Sequence, residues 1–230
     1  MSKQIPSPPT SEGIGGRTNY KYIVFDFDGT LVDSRTLFIS LYNKLAARKG
    51  YTPMTPENLQ HLRTLSIPER CRLLGVPIYK IPFLIGPIMK EYGQSIGNLQ
   101  FNPGVEEMLD TLSQKGIAYA VLSSNSKKNI EAFFSLKGAR GANDIFCSRS
   151  IFGKHVLLDK FLKAKDLKPA EILYVGDELR DIEACRKTGV PVAWVSWGYD
   201  AETAIENDKP DYIIHEPADI LSLAFHTISG

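Results

Sequence analysis

The chain has 230 residues, 43% of them hydrophobic, which is enough for one large domain, or one domain with a smaller partner, around a buried core. Its 27 basic and 26 acidic residues leave a formal net charge of +1, so bulk charge gives no reason to expect a nucleic-acid or membrane partner. No run approaches the roughly 18 apolar residues that a membrane span needs, and three widely spaced cysteines (Cys71, Cys147, Cys185) form no zinc pattern, so a reduced, cytoplasmic setting is expected.

The first 20 residues, MSKQIPSPPTSEGIGGRTNY, are rich in Pro, Ser and Gly and read as a flexible tail. No strand precedes the GIGG within it, so it is not read as a nucleotide loop. KYIVFDF (21–27) is the first buried-strand candidate, and it breaks at Gly29. From Thr36 to Leu99 only helical patterns follow: SRTLFISLYNKLAARKG with a leucine stripe and Gly50 as a stop, then PENLQHLRTLS, IPERCRLLG and IPFLIGPIMKEYG. This segment, residues 35–99, is expected to be a small helical cap inserted after the first strand of a core made of 21–34 and 100–230. Strands then alternate with helices. IAYAVL (117–122), DIFC (144–147), EILYVG (171–176), VPVAWVS (190–196) and DYII (211–214) are separated by helical patterns near 103–115, 126–137, 155–166 and 179–188, with a last one near 217–227. That alternation predicts an α/β fold, a Rossmann-like parallel sheet with helices on both faces. Ligands of such sheets bind beyond the carboxyl ends of the strands.

Four groups of chemistry-bearing residues fall at those ends: Asp26-Phe27-Asp28-Gly29-Thr30, Ser123-Ser124-Asn125, Lys154, and Gly176-Asp177-Glu178-Leu179-Arg180-Asp181. Singly, each has a bland reading. Ser-Ser-Asn suits a helix start, Lys154 a surface lysine, and Asp177 a helix cap. Together they are harder to dismiss. Asp26 and Asp28 stand two apart, so a strand would turn both to one face, where like charges repel unless a cation or a shared proton offsets them. At about 4 Å and an effective dielectric of 20, each such pair costs roughly 4 kcal/mol. Folded domains are stable by only about 5–15 kcal/mol, so three or four converging carboxylates need a strong cation. An all-oxygen site of this kind suits Mg²⁺.

Asp26-Phe-Asp-Gly-Thr-Leu-Val-Asp-Ser34 resembles the first motif of the haloacid dehalogenase-like hydrolases, in their phosphatase branch. The other three groups match that superfamily's remaining motifs in order, with GDxxxD about 150 residues downstream. The resemblance, which takes in the phosphoglycolate phosphatase-like branch, implies a Mg²⁺-dependent phosphatase acting on a small phosphorylated metabolite such as phosphoglycolate. It implies Asp26 as nucleophile, forming an aspartyl-phosphate, Asp28 as acid and base, and Lys154 as the neutralising cation. Thr30, Ser124, Asn125 and Lys154 would bind substrate. Asp26, the Asp28 backbone carbonyl, Asp177 and Asp181 would serve the metal. Lys160 is a rival for the lysine role, and His155 stands where many relatives have proline. A β-phosphoglucomutase-like phosphosugar mutase shares every motif, and a non-catalytic regulatory or binding protein on the same scaffold is the reading from another class. A monomer or homodimer is expected. His61, His155, His215 and His226 pair with nothing in the sequence, and the cysteines read as small buried apolar residues. Trp194 and Trp197 read as packing at a strand end, with Trp197 a candidate for the pocket edge.

Overall fold

The computed structural model describes residues 20–148, 150 and 152–225. The tail read over residues 1–20, its GIGG and His226 therefore lie outside the described residues, except for Tyr20, which is buried against the core. The strands are β1 (Tyr22–Phe25), β2 (Ala118–Ser123), β3 (Asp144–Cys147), β4 (Ile172–Gly176), β5 (Val192–Val195) and β6 (Tyr212–Ile214). They form one six-stranded, wholly parallel sheet in the order β3-β2-β1-β4-β5-β6. The chain winds from β1 out to β3 on one side, then restarts beside β1 with β4. This reversal is the topological switch point, where a crevice opens at the carboxyl ends.

Both faces of the sheet are covered, which explains why the strands read as unbroken apolar runs. Along β1, Ile23 and Phe25 join Phe133 and Tyr119 in one buried cluster, while Val24 joins Leu158 and Phe161 on the opposite face. The covering helices after the first crossover are those of residues 105–114, 127–137, 154–165, 179–188 and 217–224. Residues 35–99 hold the remaining helices, α1 (Arg35–Lys49), α2 (Pro56–Leu62), α3 (Ile67–Leu73) and α4 (Ile81–Gln94). In chain order the covering helices are therefore α5 (Val105–Gln114), α6 (Lys127–Lys137), α7 (Lys154–Lys165), α8 (Leu179–Thr188) and α9 (Pro217–Ala224). As the sequence implies, α1 stops at Gly50, whose φ of 70° is open to glycine at no steric cost.

The helical segment carries an apolar cluster of its own, built on Tyr42, Ala46, Leu62, Leu74, Val76 and Ile81. Its end packs closely on α6. A Cβ at Gly93 would fall 2.6 Å from Asn129 Oδ1, and Asn129 Nδ2 donates to the Met89 carbonyl at 3.3 Å. Among the described residues no single helix is long and apolar enough to cross a membrane; α3 and the run 78–94 reach that length only as a pair bent by 106°.

Candidate active site

β1 and β4 run in register, with Phe25 opposite Val175, and the Asp26 amide donates to the Val175 carbonyl at 2.9 Å. The chain leaving β1 is thereby held against the chain leaving β4, which brings Asp26 beside Asp177. The strand ends one residue before Asp26, so the alternation expected of Asp26 and Asp28 does not apply. A tight loop places them instead: the amides of Leu31 and Val32 both donate to the Phe27 carbonyl at 3.0 Å, and Gly29 turns with a φ of 80°.

Asp26 is buried. Its Oδ1 accepts the Phe27 amide at 2.7 Å and its Oδ2 accepts the Lys154 ammonium at 2.7 Å. Lys154, first residue of α7, is buried as well and also pairs with Asp181. Lys160, its rival, is exposed on the same helix. Burial pushes the Asp26 carboxyl up to about 6 even with the Lys154 charge opposing it. For Lys154 burial acts to lower the pKa, but the carboxylates of Asp181 and Asp26 outweigh it and hold the ammonium protonated, above the usual lysine range.

Asp177 lies fully buried in a cradle of small residues. Its Oδ1 accepts the Thr30 hydroxyl at 2.8 Å and its Oδ2 the Tyr199 amide at 2.6 Å. A Cβ at Gly29 or at Gly198 would collide with that carboxylate, so both positions need glycine. Thr30, expected to touch substrate, spends its hydroxyl on Asp177 and braces it. Burial, followed by the charges of Glu178, Asp181 and Asp26, raises the Asp177 pKa well above the carboxylate range. A buried carboxylate with two neutral donors, beside two more carboxylates, calls for a cation.

Asp181 is placed by the start of α8. Its Oδ2 accepts the amides of Asp177 and Glu178 at 3.2 and 3.1 Å, while Oδ1 faces Lys154. Glu178, and not Asp177, is the capping residue of that helix. One carboxylate oxygen from each of Asp26, Asp177 and Asp181 lies within 4.8 Å of the others, a hard, all-oxygen donor set of the kind that holds a divalent cation.

Asp28 reaches the crevice from the other side. Tyr92, from α4, donates to its Oδ1 at 2.6 Å, and Asn125 Nδ2 donates to its Oδ2 at 2.9 Å. Asn125 is itself fixed, since its Oδ1 accepts from the Ser126 amide at 2.8 Å and from Asn129 Nδ2 at 2.9 Å. Ser124 lines the same crevice.

Two parts of this site, Tyr92 and most of the loop after β5, were not found from the sequence, which pointed only to Trp197. Tyr92 is one tyrosine in a helix punctuated by proline and glycine. The loop Trp197-Gly198-Tyr199-Asp200, after β5, wraps Asp177; its only sequence cue is the small Gly198 between aromatics at a strand end. Arginines of the helical segment grip that loop. Arg63 Nε donates to the Tyr199 carbonyl at 2.9 Å, Arg35 to the Trp197 carbonyl at 2.8 Å, and Arg70 pairs with Asp200. Trp194 donates to the Asp177 carbonyl at 2.8 Å and Trp197 to the Thr30 carbonyl at 3.0 Å, so both tie the site's backbone together.

Cys185 is buried, but Cys71 and Cys147 are only half-buried, contrary to expectation. Burial pushes the Cys147 thiol up to about 11. His61 and His215 are exposed and His155 is partly exposed; none of the three lines the crevice.

The family described as haloacid dehalogenase-like hydrolase matches residues 23–195. A phosphoglycolate phosphatase of Synechococcus elongatus is 33% identical over 200 residues, covering 86% of this chain and 94% of that protein. One of Agrobacterium fabrum is 28% identical over 225 residues, covering 89% and 92%. A haloacid dehalogenase-like family protein of Streptococcus pneumoniae shares the fold with a TM-score of 0.74 at 21% identity, covering 90% of this chain and 99% of that one. The chain belongs to the haloacid dehalogenase-like hydrolases, in their phosphoglycolate phosphatase-like branch, and is a phosphatase.

Proposed function

We propose that this crevice hydrolyses a small phosphomonoester through an aspartyl-phosphate on Asp26, with Mg²⁺ as the metal. The observation that carries the reading is the buried Lys154–Asp26 ion pair at 2.7 Å, set beside Asp177 at the switch point of the sheet. A carboxylate kept ionised by a neighbouring ammonium is a competent nucleophile in a dry site.

In the first step an Asp26 oxygen attacks phosphorus and the bond from phosphorus to the leaving oxygen breaks. Asp28 gives that oxygen its proton. In the second, water attacks the phosphorus of the aspartyl-phosphate while Asp28 takes up a proton, releasing inorganic phosphate and restoring Asp26. The Tyr92 hydroxyl and the Asn125 amide hold Asp28 in place for both transfers. The second Asn125 N–H and the Ser124 hydroxyl serve the phosphoryl oxygens, and Lys154 offsets their charge. Asp26, Asp177 and the Asp28 backbone carbonyl would hold Mg²⁺, with Asp181, whose carboxylate lies in the same cluster, a further ligand or an outer partner. When bound, the ion offsets the clustered carboxylate charge and that of the phosphoryl group.

Residues 35–99 act in this reading as a cap over a core of 21–34 and 100–230. Phosphoglycolate, named in both relatives, is the first ester to try. The test is phosphate release from p-nitrophenyl phosphate and a panel of small esters, with Mg²⁺ and with EDTA. Release that needs the metal supports the reading. Transfer of the phosphoryl group to a second sugar hydroxyl, with none to water, would mark a mutase instead.

A further inference from the structure

Beyond the carboxylates the crevice continues into a cavity of about 220 Å³. Asp28 and Ser124 are among the residues that line it. The rest runs into the apolar cluster of the helical segment, between Tyr42, Leu74, Val76 and Ile81, with Leu45 and Ile85 adding further hydrocarbon. Because Asp28 lines this cavity, a leaving group that takes its proton from Asp28 would extend into it.

The tyrosine hydroxyls on its wall are already engaged. The Tyr42 hydroxyl donates to the Thr52 carbonyl at 2.8 Å, Tyr92 to Asp28, and the Tyr199 hydroxyl meets Ser34 Oγ at 2.9 Å. Two arginines reach the wall, Arg70 and Arg180, and each has an acidic partner. Arg180 Nε donates to Glu178 Oε2 at 2.7 Å, and Arg70 pairs with Asp200 and stands 4.0 Å from Glu178. Two cations are thus matched by two anions, and among the described residues no lysine or histidine lines the cavity. A leaving-group carboxylate, as in phosphoglycolate, would lose its hydration here with no uncommitted cation to replace it.

Resting on the phosphatase reading above, we propose that the ester this site takes carries an uncharged, apolar leaving group about the size of an aromatic ring with a short chain. An engineered cavity of about 150 Å³ with similar walls admits benzene, so the size is adequate. Each methylene buried there improves binding about fourfold.

The experiment measures kcat/KM, with Mg²⁺, for ethyl, butyl, hexyl and benzyl phosphates, with phosphoglycolate and p-nitrophenyl phosphate alongside. Expected is a rise of about three- to fourfold per methylene, putting hexyl and benzyl phosphate roughly a hundredfold above phosphoglycolate. Cys71→Phe, which projects a ring into the cavity wall, is expected to cut the hexyl-to-ethyl ratio at least tenfold. That ratio is internal to one preparation and so does not depend on how much of the variant folds. A flat series, or phosphoglycolate as the fastest ester, overturns the inference and leaves the phosphatase reading standing. An unchanged ratio in Cys71→Phe overturns the placement of the chain in this cavity. No phosphate from any ester overturns both readings.

Discussion

Replacing Lys154 by Met keeps an apolar stem of similar length and removes the ammonium. In the wild type that ammonium stands 2.7 Å from Asp26 and also pairs with Asp181, all three groups being buried. At an effective dielectric of 20 the first pair has a gross attraction of roughly 6 kcal/mol, and breaking a buried pair from one side costs about 3–5 kcal/mol net. That is a large share of the about 5–15 kcal/mol available to a domain, so Lys154→Met is expected to fold but to unfold at a much lower urea concentration. The pH dependence gives the sharper test. In EDTA the wild-type Asp26 carboxyl titrates at about 6, above its unfolded value, so the folded state binds this proton more tightly. The stability this contributes is fully present below the unfolded pKa and is lost as pH rises through about 6. Without the lysine the folded pKa moves higher still, and the loss continues toward neutrality. The deficit of the variant, read from urea melts in EDTA, is therefore larger at pH 8 than at pH 5. A deficit under about 1 kcal/mol at pH 8, or one that shrinks as pH rises, would refute the reasoning.

Three further outcomes follow from the geometry. Gly198→Ala puts a Cβ into the Asp177 side chain, and overpacking of this kind costs about 1–3 kcal/mol; metal affinity, read by titration of the folded protein, is expected to fall with it. Tyr92→Phe removes the hydroxyl bonded to Asp28 and is expected to lower kcat roughly five- to tenfold, about 1 kcal/mol, with KM little changed; an unaltered kcat would show that Asp28 needs no such support. Cys147→Ala leaves turnover intact, and the wild-type thiol, pushed up to about 11 chiefly by burial, reacts slowly with iodoacetamide at neutral pH.

The sheet was legible because its signal is local. Each strand is a short apolar run bounded by turn residues, and successive strands are joined by helical patterns, so a parallel sheet with its crevice at the carboxyl ends follows from general connection rules, whereas the strand order is known only from the structure. The carboxylates were legible as well, because unpaired acids at the ends of such runs are too costly to be incidental. Local reasoning misplaced the strand end: β1 stops at Phe25, whereas period-two alternation was carried on to Asp28. The resemblance gave Thr30 to the substrate, whereas its hydroxyl donates to Asp177. Tyr92 and Tyr199 were out of reach for a different reason. Their roles depend on helix α4 and the loop after β5 being brought to Asp28 and Asp177 across 64 and 22 residues of chain, which no short-range pattern encodes.

A covalent phosphoryl group at Asp26 is the step on which the proposed hydrolysis depends. The measurement is a rapid acid quench of enzyme, Mg²⁺ and an ester carrying a radiolabelled phosphoryl group, followed by proteolysis. Label on the peptide containing Asp26, absent from Asp26→Asn and lost on treatment with hydroxylamine, is the predicted result. Steady release of phosphate with no trapped label, or turnover that survives in Asp26→Asn, would contradict it.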